Sequence, residues 1–147
     1  MTSFIKNQVF SIILIASGAV LAQGIVLPPD SVAKPPPEST STIGKALSGK
    51  WQGMWDGRMP HVLVVEEVRS NTELQVLYAW QDIPADNSWG AGWYRTTATI
   101  EGSTLKVSLR NGSRAWYELM PDGSLKAGYQ RGSESGQSSA TLNKVIQ

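Results

Sequence analysis

The sequence predicts an all-β fold: a single antiparallel up-and-down meander of about eight strands that closes into a barrel. Three observations predict it. From Leu47 onward the chain breaks into short runs in which apolar and polar side chains alternate, the two-residue period of a strand with one buried face. Turn signals, above all Asn111-Gly112 and Pro121-Asp122-Gly123, separate the runs, as in hairpins. No helical period is visible outside the N-terminal leader. Strands joined by tight turns are neighbours in space, and a meander of this size loses its exposed edges most simply by closing on itself. A two-sheet sandwich uses the same alternation and stays open as the alternative.

The elements follow in chain order. Lys6 precedes an almost unbroken apolar run from Val9 to Leu21, with the small-residue exit Val20-Leu21-Ala22. That pattern predicts a secretory signal peptide over residues 1–22, cleaved after Ala22, because the run is too short for a spanning helix. The processed protein is then secreted or periplasmic, with no membrane span. Residues 23–43 contain Pro28-Pro29, Pro35-Pro36-Pro37 and a Ser/Thr run. Proline fixes φ and lacks an N–H, so this stretch reads as a disordered spacer or an arm reaching toward a partner. Residues 44–147 form the β-domain.

The first run is Leu47 to Gly57, the second His61 to Val68 and the third Glu73 to Gln81. A longer loop from Asp82 to Gly90 leads to the fourth, Gly92–Ile100. The fifth is Thr104 to Arg110, the sixth Arg114 to Met120, the seventh Leu125 to Gln130 and the eighth Ser139 to Val145.

Alternation sorts the side chains into two faces. Leu74, Val76, Tyr78 and Trp80 share the inward face of the third run. Tyr94, Ala98 and Ile100 do so in the fourth, Leu105, Val107 and Leu109 in the fifth, and Ala115, Tyr117 and Leu119 in the sixth. Leu125, Ala127 and Tyr129, then Ala140 and Leu142, complete the interior. The second run is apolar on both sides, as a bulge or a strand covered on both faces would be. In the first run Gly49, Trp51, Gly53, Trp55 and Gly57 alternate on one face. Glycine weakens a strand unless the chain bends or something comes close there.

Gly49-Lys50-Trp51, within Leu47-Ser48-Gly49-Lys50-Trp51, resembles the Gly-x-Trp that opens the first strand of calycin-type barrels, the lipocalins and avidin-like proteins. The resemblance extends to strand number and meander order. It implies a lipocalin-like barrel and carries no further ligand motif. The stretches Trp51–Trp55 and Ala79-Trp80 also resemble small exported bacterial domains of unassigned role.

Composition excludes several functions. The chain carries 13 Lys/Arg and 12 Asp/Glu, and only Lys6 lies in the leader. A balanced, scattered charge argues against nucleic acid as a partner. With no cysteine and one histidine, His61, thiolate chemistry and His/Cys metal sites are excluded. No cofactor is implied. Asp82, Asp86 and Asn87 match no calcium loop. The adjacent pair Glu66-Glu67 points to opposite faces of a regular strand. Asp56 and Glu118 have no spacing that makes them an acid–base pair, and Asn111-Gly112-Ser113 reads as turn chemistry. No catalytic residue is assigned.

Six tryptophans and four tyrosines remain. The inward rings Trp51, Trp55, Trp80 and Tyr117 read first as core. A small barrel either fills with side chains or holds one ligand, so they can also line a pocket. The loop from Asp82 to Trp93 presents Trp89 and Trp93 among glycines, and long loops on rigid scaffolds often bind. The candidate ligand-binding residues are therefore Trp55, Tyr78, Trp80, Trp89, Trp93, Tyr117 and Tyr129. The expected function is an exported, non-enzymatic module binding a small apolar, aromatic or sugar-like ligand. The alternatives are an interaction domain, such as an inhibitor using its proline-rich arm on a protein partner, and a structural cell-envelope domain.

Overall fold

Eight strands form the wall in chain order in the computed structural model, which describes residues 25–83, 90–133 and 135–146. They are β1 (Gly49–Trp55), β2 (Met59–Val68), β3 (Glu73–Trp80), β4 (Gly92–Glu101), β5 (Thr104–Ser108), β6 (Arg114–Leu119), β7 (Leu125–Gln130) and β8 (Gln137–Val145). Each pairs antiparallel with the next, and β8 returns to β1 from Lys50↔Val145 to Gly53↔Leu142. That last ladder decides for the closed barrel and against the sandwich.

The inward faces are those the alternation predicts. Leu63, Val65, Leu74, Val76, Leu105, Val107, Leu125 and Leu142 are fully buried in one core inside the barrel. Polar partners at the intervening positions, such as Lys106 and Lys126, face solvent.

The N-terminal end of the barrel is plugged by a short helix, α1 (Thr42–Leu47), which the sequence reading did not anticipate. Six residues are too few to display a 3.6-residue period. Its local signal is a cap: Ser41 Oγ accepts the Gly44 N–H at 3.2 Å. Leu47 is fully buried in the core and Ile43 packs against it. Gly49 then takes φ +120°, a value that L side chains avoid. This lets the chain leave the helix directly into β1, and Trp51 Nε1 donates back to Leu47 O at 2.9 Å. The Gly-x-Trp of the first run is thus the joint between plug and wall.

Strand ends differ from the sequence reading where turns intervene. The first run stops at Trp55, because Asp56 and Gly57 both take positive φ, 50° and 66°. Arg58 N–H returns to Trp55 O at 2.9 Å. The fifth run stops at Ser108, and Arg110–Gly112 form a single 3₁₀ turn. Leu109 N–H donates to Ser113 O at 2.7 Å, and only Gly112 takes positive φ, 72°.

Both explanations offered for the doubly apolar second run hold. Val65 pairs with Val76 and Glu67 with Gln75, so Glu66 is the extra residue of a bulge, and Val68 turns inward again. Ahead of the bulge, Val62 and Val64 face outward with Leu77 and Ala79 of β3, yet all four are buried. Ile25, Leu27 and Ala33 of the proline-rich segment cover them.

That segment was expected to be a disordered spacer. Instead, residues 25–41 run along the outside of β2 and β3. Lys34 N–H donates to Glu66 O at 2.8 Å. Arg95 Nε donates to Glu66 Oε2 at 2.8 Å, and Arg95 Nη2 to Asp30 Oδ1 at 2.9 Å. The hydrogen bond from Arg95 holds the Asp30 carboxyl below its ordinary range. Proline explains the ordering: a pre-extended chain has less entropy to lose when it lies down on a matching apolar strip.

Candidate functional site

The lower barrel is filled with aliphatic side chains and Trp51, whereas among the described residues its opposite end is open. In a meander, alternate connections fall at the same end. The described residues of the β1–β2, β3–β4, β5–β6 and β7–β8 connections lie around this mouth. A cavity of about 560 Å³ opens there, bordered by residues from each of these connections.

Its walls are aromatic because the last inward position of several strands carries a ring. Trp55 ends β1, Tyr78 and Trp80 end β3, Tyr94 begins β4 and Tyr129 lies near the end of β7. The rings touch one another as a continuous sheath. Tyr78 and Tyr94 stack at 5.7 Å, Trp80 meets Tyr94 edge-on at 5.8 Å, and Trp55 tilts against Tyr129 at 5.9 Å, all within the range of favourable ring pairs. Trp80 is further pinned by donating its Nε1–H to Gly90 O at 2.8 Å. It lies over Gly92, where a Cβ would come within 2.8 Å of the indole.

Beneath this sheath sits the only histidine. His61 is fully buried, with Trp55 stacked at 5.1 Å on it and Tyr78 at 4.5 Å. Its Nδ1 lies 2.8 Å from Ala79 O, and its Nε2 lies 2.8 Å from Tyr117 Oη. A carbonyl can only accept, so Nδ1 carries the proton and Nε2 accepts from the Tyr117 hydroxyl. Both ring nitrogens are satisfied by the neutral form. Burial accordingly pushes the His61 pKa from 6.5 down to about 4.

The Tyr78, Tyr94 and Tyr117 phenols remain protonated. Burial raises Tyr117 and Tyr78 far above the usual phenol range, neighbouring phenols adding to it, and pushes Tyr94 up to about 12. Tyr78 and Tyr94 therefore present neutral hydroxyls to the cavity. The Asp56 carboxylate at the rim accepts the Ser139 N–H at 2.9 Å. Glu118 points outward on β6, paired across to Lys126 and Thr104, at the other end of the barrel. Asp56 and Glu118 are not brought together. Among the described residues, no three His, Asp or Glu side chains cluster as metal ligands.

The sequence-derived candidates separate into groups. Trp55, Tyr78, Trp80, Trp93 and Tyr129 border the cavity. Trp93 does so from the rim on the outward face, 42% exposed, with the Arg95 guanidinium 5.6 Å over its ring. Tyr117 lies below the floor and serves His61 rather than the cavity. Trp89, with Asp86 and Asn87, falls outside the described residues.

Tyr94, Leu109, Met59 and three arginines, Arg58, Arg110 and Arg131, also border the cavity and were not singled out from sequence. A signal for the arginines existed. Once a meander is assumed, alternate turns share an end, and the turns holding Arg58, Arg110 and Arg131 belong to one set.

No protein-family model matches the chain, and no curated protein matches it significantly.

Proposed function

We propose that this is an exported, non-enzymatic binding module whose barrel mouth takes one small ligand with an aromatic or other apolar body. The observation that carries the reading is the ring-walled cavity of about 560 Å³ at one end of an otherwise filled barrel. Ligand pockets typically fall between about 300 and 1,000 Å³, with mostly apolar walls and a few polar groups that fix orientation. Tyr129, Ser113 and Ser138 supply such groups here. The one imidazole is sealed beneath the floor, its two nitrogens already engaged, which weighs against acid–base catalysis on a bound molecule. The Gly49-Lys50-Trp51 joint and the closed eight-strand meander support kinship with calycin-type barrels.

The test is a tryptophan-fluorescence titration against fatty acids, aromatic compounds and oligosaccharides. Trp55 and Trp80 line the cavity, so a bound ligand changes their emission saturably, and Trp80→Ala weakens the response to the same ligand. A panel that leaves the emission unchanged would overturn the reading.

A protein-interaction role for the proline-rich arm keeps one observation in its favour. Val26 and Val32 of the docked arm are 77% and 58% exposed. Deleting residues 23–42 separates the two readings: small-ligand binding survives if the mouth is the site, whereas partner capture is lost if the arm is.

A further inference from the structure

We infer that the mouth selects ligands bearing an anionic group, a carboxylate or sulfonate on an aromatic or apolar body. The inference rests on the cavity being a ligand site and narrows what it accepts.

The chain as a whole is nearly balanced in charge, with 13 basic and 12 acidic side chains, yet the mouth is not. Three hairpin connections each contribute one arginine to the cavity border: Arg58 from β1–β2, Arg110 from β5–β6 and Arg131 from β7–β8. Among the described residues the only acidic one at that border is Asp56, and its Oδ1 already accepts the Ser139 amide.

Of the arginines on the outer wall, Arg114 is hydrogen-bonded to the neutral Gln130 amide, whereas the other two are paired with acids. Arg95 pairs with Glu66 and Asp30, and Arg69 with Glu67 and Glu73. Arg58 and Arg110, by contrast, form no ion pair with any described residue. Among the described residues, Arg69 and Arg95 are neutralised by acids and Arg58 and Arg110 are not.

Arg110 is also held in place. Its guanidinium lies 5.1 Å from the centroid of the Tyr94 ring, a cation–π geometry. Stacking uses the face of the guanidinium and leaves its N–H edge available for an anion. Tyr129 and Ser113, linked at 3.3 Å, add hydroxyls along the same wall. Aromatic walls lower the local dielectric and strengthen the field of the rim charges. A ligand that lays its apolar body on Trp55, Tyr78 and Trp80 would point its head toward these cations.

The experiment compares two fluorescent probes with the same aromatic body, anilinonaphthalene sulfonate and its uncharged parent N-phenylnaphthylamine. Both are titrated into the purified protein at about 0.05 M and about 0.5 M salt. A charge-assisted contact at a partly exposed rim gives the sulfonate about tenfold tighter binding at low salt, shrinking at high salt. In the Arg58→Gln/Arg110→Gln double variant the sulfonate loses its advantage over the neutral probe measured in the same variant. Equal affinities in the unmodified protein, or a sulfonate advantage that survives the double substitution, would overturn the inference while leaving the ligand site intact. Failure of both probes to bind would instead remove the ligand-site reading, and this inference with it.

Discussion

Acid should destabilise this barrel through one residue. His61 is buried, neutral and doubly hydrogen-bonded, with its pKa lowered from 6.5 to about 4. The rings that face it, Trp55, Tyr78 and Tyr117, carry no charge that could compensate a proton. Between the two values the unfolded chain binds a proton that the folded chain refuses. Stability is therefore fully present above the unfolded pKa and is lost as pH falls toward the folded one. Across the whole window the loss is about 3 kcal/mol, and from about pH 7.5 to about pH 5 it is about 2 kcal/mol. Because the chain has a single histidine, no other unperturbed side chain titrates in the upper part of that window. Urea unfolding followed by tryptophan emission at a series of pH values reads the effect. His61→Gln cannot take up the proton, so its stability should fall by well under 1 kcal/mol over the same range, although it is less stable than the parent at neutral pH. Parallel stability–pH curves for the two proteins would refute the reasoning.

Three further outcomes follow from the packing. Tyr117→Phe strips the donor from His61 Nε2 and should destabilise the protein by about 1–3 kcal/mol in urea unfolding. Gly53→Ala places a Cβ 2.3 Å from Thr141 O on β8, so the closing ladder must shift. Its expected cost is about 3 kcal/mol, whereas Gly102→Ala, which meets nothing within 4 Å but sits at φ +61°, should cost about 1 kcal/mol. Chemical denaturation of the two variants side by side separates close approach from backbone strain. Leu27→Ala should lower stability by about 1 kcal/mol, the value of a partly buried aliphatic side chain. It should also speed amide exchange in β2 and β3, since Leu27 covers Val62, Val64, Leu77 and Ala79; unchanged exchange there would mean the arm contributes nothing to the wall.

The sequence by itself determined what depends on a two-residue period. Which side of each strand faces inward could be read at Leu74, Val76, Leu105, Val107, Tyr117 and Leu142, because alternation is a local property and one slip would expose the whole set. It also placed Trp55, Tyr78, Trp80 and Tyr129 inside, though not at which height. Only the tertiary structure decided the rest. Closure rests on the pairing of Lys50 with Val145, and no local pattern distinguishes that ladder from a free edge. His61 and Tyr117 are 56 residues apart in sequence, and their bond depends on two strands facing each other across the interior. The arm lies down because β2 and β3 offer it an apolar strip that exists only once they are paired. The mouth gathers Arg58, Arg110 and Arg131 from three separate hairpins for the same reason: a site built between elements has no address in any one of them.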